Sequence, residues 1–250
     1  MITIDLTGKN ALITGGTRGI GRAISRRLAE AGANTAAVWR GDADTAKVSL
    51  TEREAFGLGH HVNYQADVGD EGQIDELMGQ VKRGYADGLD ILVLNAGIGL
   101  SGKVTEIDPA QWRRMLDVNL GSAFLLTRGL VPILRPGGSI VAIGSGSGHD
   151  PIPGLAFYGA SKAALNVFIA DLAQEAGPDG IRANVVSPGG TDTTFQANAP
   201  SPAQKQDSAT HNALRRQGVP DDVAGVVLFL CSDLAGFVTG QALRVNGAAL

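Results

Sequence analysis

The sequence predicts an α/β fold, a single doubly wound domain built on a parallel sheet of seven strands. Three observations predict it. Short apolar runs bounded by glycine or polar residues alternate with longer amphipathic stretches along all 250 residues. The short runs are nearly continuous in apolar residues, the pattern of strands covered on both faces by helices. Finally, a glycine cluster at 14–21 joins the first apolar run to the first amphipathic stretch, at the junction where such sheets hold ligands.

In order, the strands are expected at 11–13, 35–39, 61–65, 91–94, 139–143, 182–186 and 242–245. Each is short, rich in Val, Ile, Leu or Ala, and flanked by turn-forming residues. Helical patterns fill the spaces between them at 19–31, 45–56, 71–84, 111–130, 158–176 and 220–230. Right-handed crossovers then place ligands at the carboxyl ends of the strands. No break in composition marks a second domain. The segment 191–218 stands apart, being polar, carrying Pro200 and Pro202, and lacking a clear period until about Ala209. Its length and its position after a strand end favour a substrate lid over a passive insertion.

Composition narrows the function. A net charge of −4, with basic residues scattered or in short groups such as Arg22/Arg26/Arg27 and Arg215/Arg216, argues against nucleic acid or an anionic membrane as the main partner. Cys231 is the sole cysteine, so no intrachain disulfide is possible; it sits in an apolar run and reads as a buried, inert thiol. No basic, apolar signal segment precedes the first strand, and no apolar run reaches the roughly 20 residues of a membrane span. A cytoplasmic protein is expected. No Cys pair, His-x-x-x-His or carboxylate cluster has metal-ligand spacing, so no metal is expected. The run Gly144–Gly148 leads to Pro151 and Pro153 rather than into a helix, which argues against the nucleophile elbow of a hydrolase.

The chemistry is carried by Tyr158 and Lys162, which share a helix face at i and i+4. A tyrosine with an ordinary pKa of about 10 is a poor proton shuttle near neutrality. A fixed positive charge beside it favours the phenolate and brings it towards the range of general acid–base catalysis. Neither Tyr64 nor Tyr85 has such a partner. In the turn Thr14-Gly15-Gly16-Thr17-Arg18-Gly19-Ile20-Gly21, the glycines let the backbone approach a pyrophosphate, and the helix N-terminus that follows favours negative charge.

The spacing of Gly15, Gly19 and Gly21 resembles the TGxxxGxG signature of the short-chain dehydrogenase/reductase family, which has a Rossmann-type fold. The resemblance runs through nearly the whole chain: Asp67 in Ala66-Asp67-Val68, Asn95-Ala96-Gly97 after the fourth strand, Asn119, Ser145, Tyr158-x-x-x-Lys162, and Pro188-Gly189 with Thr193. It implies a sheet in the order 3-2-1-4-5-6-7. It further implies hydride transfer with Tyr158 as general acid–base, Lys162 lowering the tyrosine pKa, Ser145 orienting the substrate oxygen, and Asn119 holding a water for proton resupply. Other readings stay open, since Ser147 competes with Ser145 and Asn119 can bond its own helix.

By the same resemblance, the cofactor would meet Gly15, Thr17, Arg18, Gly19, Ile20, Gly21, Arg40, Asp67, Val68, Asn95, Ala96, Gly97, Tyr158, Lys162, Pro188, Gly189, Thr191 and Thr193. Trp39 stands where NAD-dependent relatives carry Asp, and Arg40 with Arg18 can clamp a 2′-phosphate, so NADPH is favoured over NADH despite the nearby Asp42 and Asp44. The expected activity is an NADPH-dependent ketoreductase on a small or carrier-bound carbonyl compound, similar to the 3-oxoacyl-carrier-protein reductase branch. The competing readings are an NAD-dependent alcohol dehydrogenase and a catalytically silent cofactor-binding regulatory protein. Relatives pair through the helices bearing Asn119 and Tyr158, so a homodimer or homotetramer is expected. The loop bearing His149 and Asp150 borders the family's substrate space, and whether either touches substrate stays open.

Overall fold

A computed structural model of the chain describes residues 3–193 and 210–249. Seven parallel strands form one sheet in the order β3-β2-β1-β4-β5-β6-β7. They are β1 Asn10–Thr14, β2 Asn34–Trp39, β3 His61–Gln65, β4 Leu89–Leu94, β5 Leu134–Ile143, β6 Arg182–Pro188 and β7 Ala242–Val245. The helices are α1 Gly19–Glu30, α2 Ala43–Glu54, α3 Glu71–Gly84, α4 Pro109–Leu116, α5 Ser122–Leu130, α6 Ala156–Ala176 and, as α7, Pro220–Leu230. Most of the expected lid, residues 194–209, lies outside the described residues.

The two-residue period of the strands sorts their side chains into two apolar layers. On one face, Leu12, Leu92, Ile140 and Val185 pack with Ile74 and Leu77 of α3, Leu126 of α5, and Leu165 and Ile169 of α6. On the other, Ala11, Ile13, Val93 and Val141 pack with Ile24 and Leu28 of α1 and Val223 and Val227 of α7. The central strands β1 and β4 are therefore apolar at most positions, because both faces are covered, whereas the edge strand β3 is polar and only partly buried.

Two elements depart from the expected outline. β5 begins at Leu134 rather than at 139, with Leu134 paired to Leu89 and a register shift between Leu89 and Ile91. More consequentially, the helix expected over 111–130 is not one α-helix. A π-helical turn, Asp117–Gly121, separates α4 from α5, and the Ser122 N–H donates to the Asp117 carbonyl five residues back. A 3.6-residue period cannot register one inserted residue, and such turns gather at functional positions.

The short basic groups are paired. Arg22 bonds Glu52 of α2, while Arg26 and Arg27 reach Asp221 at the start of α7. Among the described residues no helix is long and apolar enough to cross a membrane. Cys231 is buried, and loss of solvent pushes its thiol up to about 12, so it is inert as a nucleophile.

Candidate active site

Strand order reverses between β1 and β4, and the crevice at such a switch point is where open α/β sheets bind ligands. The loops leaving these strands are tied to each other. Thr14 Oγ1 accepts the N–H groups of Asn95 and Ala96, at 2.9 and 3.0 Å. The Asn95 amide donates back to the carbonyls of Thr14 at 2.8 Å and Gly15 at 3.1 Å. The Asn95 side chain thus braces the glycine turn. Thr14, the first residue of the glycine signature, is the residue that makes the bracing mutual.

The turn itself fits a dinucleotide pyrophosphate. Gly15 and Gly19 have φ of +62° and +52°, in the left-handed region that side chains resist. A Cβ on Gly21 would lie 2.1 Å from the Gly15 carbonyl, so only glycine lets α1 start this close to the turn. No side chain caps α1 and no acidic residue occupies its first turn, which leaves its positive end to an anion. Thr193, after β6, faces Gly19, its Cβ 3.7 Å from the place a Gly19 Cβ would occupy. Pro188 ends β6; Gly189 follows and packs so closely on Asn246 that an added Cβ would lie 2.7 Å from the Asn246 Cβ. Asn246, after β7, therefore supports this loop. Thr191 bridges to Gly218, and its hydroxyl donates to the Gly189 carbonyl at 3.1 Å.

At the end of β2, Arg40 is largely exposed, its Nη1 3.9 Å from Asp67. Asp42, expected to weaken a phosphate clamp, caps α2 instead: its carboxylate accepts the Thr45 N–H at 2.9 Å and the Thr45 hydroxyl at 2.6 Å. Those two bonds, with a smaller contribution from the Arg18 charge, hold Asp42 below the usual carboxylate range. Asp67 is gripped by Arg114 of α4, whose Nη2 lies 2.6 and 2.5 Å from its two oxygens. Thr17 is buried, Ile20 packs on the α1-side core, and Gly97 is part of the loop after β4. Val68, with Val118, belongs to the core, so the Val68 side chain is unavailable and only its backbone remains for a ligand.

Beyond the end of β5, α6 carries Tyr158 in its first turn and Lys162 one turn on. The Lys162 ammonium lies 5.9 Å from the centre of the Tyr158 ring and donates to the Ile143 carbonyl at the end of β5, at 2.8 Å. It is buried, and desolvation brings it down to about 8. Burial raises the Tyr158 phenol above its ordinary value, and a hydrogen bond with Ser145 works in the opposite direction. Desolvation thus outweighs the hydrogen bond to Ser145 at the phenol. That contact also separates the two serines. Ser147 is buried behind, its hydroxyl 2.9 Å from that of Ser145.

The π turn positions Asn119. Its Oδ1 accepts the Ile98 N–H at 2.8 Å, and its amide donates to the Ile98 carbonyl at 3.0 Å and to the Ser161 hydroxyl at 3.1 Å. Ser161 in turn donates to the Tyr158 carbonyl at 2.7 Å. Asn119 therefore links the loop after β4 to the helix that carries Tyr158, rather than bonding its own helix. His149 Nε2 lies 2.9 Å from the Ser187 hydroxyl on β6 and 3.5 Å from the Asn166 amide, while Asp150 pairs with Arg244. Among the described residues no group of three or more His, Cys, Asp or Glu is placed to hold a metal.

Known proteins share this arrangement. A family model described as enoyl-(acyl carrier protein) reductase matches residues 15–248. The chain is 37% identical to the cyclic-di-GMP-binding biofilm dispersal mediator protein of Escherichia coli K12, covering 97% of each chain. It is also 37% identical to a 3-oxoacyl-acyl-carrier-protein reductase of Aquifex aeolicus, covering 98% of each. A short chain dehydrogenase from Burkholderia cenocepacia, solved in complex with NADP, superposes with a TM-score of 0.92 at 35% identity, over 97% of this chain and 98% of that one. With this fold, these loops and these similarities over nearly its whole length, the chain belongs to the short-chain dehydrogenase/reductase family of oxidoreductases.

Proposed function

We propose that the protein is an NADPH-dependent carbonyl reductase in which Tyr158 protonates the substrate oxygen. The observation that carries this reading is the half-buried Tyr158, its phenol bonded to Ser145 and the Lys162 ammonium 5.9 Å from its ring centre. When bound, the reduced nicotinamide supplies the hydride taken up by the carbonyl carbon. The Tyr158 hydroxyl gives its proton to the carbonyl oxygen, and the Ser145 hydroxyl donates a hydrogen bond to that same oxygen, orienting it. Lys162, buried and bonded to a carbonyl rather than a carboxylate, keeps its charge available to stabilise the phenolate left behind. Asn119 uses both amide hydrogens within the protein, and the second lone pair of Oδ1 is its acceptor for a water that returns the proton.

Arg40, exposed and beside the turn, with Arg18 at the start of α1, supports a cofactor bearing a 2′-phosphate. The 3-oxoacyl-carrier-protein reductase similarity favours an acyl thioester with a 3-oxo group as substrate. Phe124 of α5 and Val167 of α6 are 50% and 63% exposed, which supports pairing of two copies through those helices. The test is NADPH oxidation against a panel of ketones, quinones and 3-oxoacyl thioesters. Tyr158→Phe is expected to lower kcat by about 10²–10⁴-fold on whichever substrate turns over. Unchanged turnover would exclude Tyr158 as the acid.

A further inference from the structure

The ends of β2 and β3 lie side by side, with Trp39 paired to Gln65 and the Ala66 N–H donating to the Trp39 carbonyl. That pairing sets Arg40 and Asp67 next to each other, with Arg40 Nη1 3.9 Å from Asp67 Oδ2. An aspartate here would work against a 2′-phosphate twice over, by repelling it and by drawing off the cation meant for it. The sequence offers no remedy nearby. The fold brings one from α4.

Arg114 sits 47 residues along the chain from Asp67, yet its Nη2 reaches both carboxylate oxygens, at 2.6 and 2.5 Å. The surroundings are shaped for it. A Cβ on Gly69 would lie 2.1 Å from Arg114 Nη1 and 2.7 Å from its Cζ, so the guanidinium occupies the space that any side chain at 69 would need. The Gly69 N–H also donates to Asp67 Oδ1 at 3.0 Å, and Gln73 Oε1 accepts the Asp67 N–H at 2.8 Å. The carboxylate is therefore held in one place and presented to Arg114. Arg40, at 3.9 Å, is the looser of its two cationic neighbours and the more exposed one.

We infer that Arg114 is a specificity-determining residue: by neutralising Asp67 it releases Arg40 to bind the 2′-phosphate of NADPH. Arg114 touches no reacting atom and acts through Asp67 as a positioning residue. The inference rests on the NADPH reading of Arg40 given above. Loss of Arg114 would leave a bare carboxylate beside Arg40, which would then pair with it, while NADH, lacking the phosphate, would be affected far less.

The experiment is calorimetric titration of the protein with 2′,5′-ADP and with 5′-AMP, which needs no turnover. Arg114→Gln is expected to weaken 2′,5′-ADP roughly fivefold more than 5′-AMP, the scale of one unscreened charge at about 4 Å in water. Arg114→Lys retains most of the discrimination, and adding Asp67→Asn to Arg114→Gln restores it. Equal weakening of both nucleotides, or of neither, overturns the inference. If Arg114→Gln does not fold, Asp67→Asn alone should raise the preference for 2′,5′-ADP, and no rise overturns the inference equally. Arg40→Ala separates the two levels. If that variant loses both nucleotides alike, the NADPH reading itself fails. A selective loss in Arg40→Ala combined with none in Arg114→Gln overturns only the role of Arg114.

Discussion

Lys162 lies against the Tyr158 ring, its ammonium 5.9 Å from the ring centre, and it donates a hydrogen bond to the Ile143 carbonyl at 2.8 Å. A buried ammonium bonded only to a carbonyl is costly to the fold. On the proposed mechanism, that cost is offset by the charge it presents to the site when the phenol ionises.

Lys162→Met is accordingly expected to stabilise the fold while abolishing turnover. The folded ammonium is depressed to about 8 from an ordinary value near 10.5, so the folded state releases its proton before the unfolded state does. Below about pH 8 both states are charged and the burial penalty is complete; between that pH and the unfolded value the wild-type protein gains stability as pH rises. The variant should be more stable by about 1–2 kcal/mol near neutrality, after allowing for the lost bond to Ile143, and should lack that rise. Chemical denaturation of both proteins across this pH range checks it. A variant less stable than wild type at neutral pH would show that the charge is not a burden.

His61 gives the opposite end of the pH scale. Burial, then the charge of the fully buried Arg53, lowers its pKa, while its Nδ1 is bonded to Thr35 at 2.9 Å. The unfolded chain therefore takes up this proton first. Stability should be intact above the ordinary histidine value of about 6.5 and fall as pH drops through it towards the lower folded value. His61→Gln should flatten this part of the stability–pH curve; an unchanged slope would assign the acid sensitivity elsewhere.

Gly21→Ala tests the glycine turn. The new methyl group would sit 2.1 Å from the Gly15 carbonyl and 2.5 Å from the Asn95 amide, both of them fixed by other bonds. The expected cost is about 3 kcal/mol, at the upper end for overpacking, with weakened nucleotide binding in whatever fraction folds. Thermal melts and calorimetric titration read the two effects separately. Tight NADPH binding with wild-type stability would mean that the turn can open without loss.

Asn119→Ala removes three hydrogen bonds, leaving the Ile98 N–H and carbonyl without their side-chain partner. A loss of about 1–3 kcal/mol is expected, together with lower kcat at unchanged nucleotide affinity, because the helix bearing Tyr158 is held through Ser161. If stability falls but kcat does not, the residue is a brace for the loop alone.

The periodic parts of this molecule could be read directly. Strand alternation and helical spacing located the seven strands along the chain, the family resemblance supplied their order in the sheet, and Tyr158 and Lys162 were visible as a pair because they are four residues apart on one helix. What was hidden depends on contacts between distant segments. Nothing local connects Arg114 with Asp67, or Thr14 with Asn95; they meet only because the sheet sets their loops together. The π turn escaped because an inserted residue alters phase without altering composition. The bracing bonds of Asn95 and the core packing of Val68 were hidden for a related reason, since a motif records which residue recurs but not which neighbouring loop or helix its side chain meets.

The turn at 117–121 has one more consequence. Each residue of an α-helix advances the chain by about 100° around its axis. Deleting one residue within the turn would let α4 and α5 join as a regular helix, and would swing α4 by roughly that angle relative to α5. Arg114 would be carried off Asp67 while Met115 left the core. The insertion thus acts as a phase shifter between the two halves of the helix, setting the half that holds Asp67 and the half that packs under α6 at their separate orientations. Helix length is here as much a part of the site as any side chain.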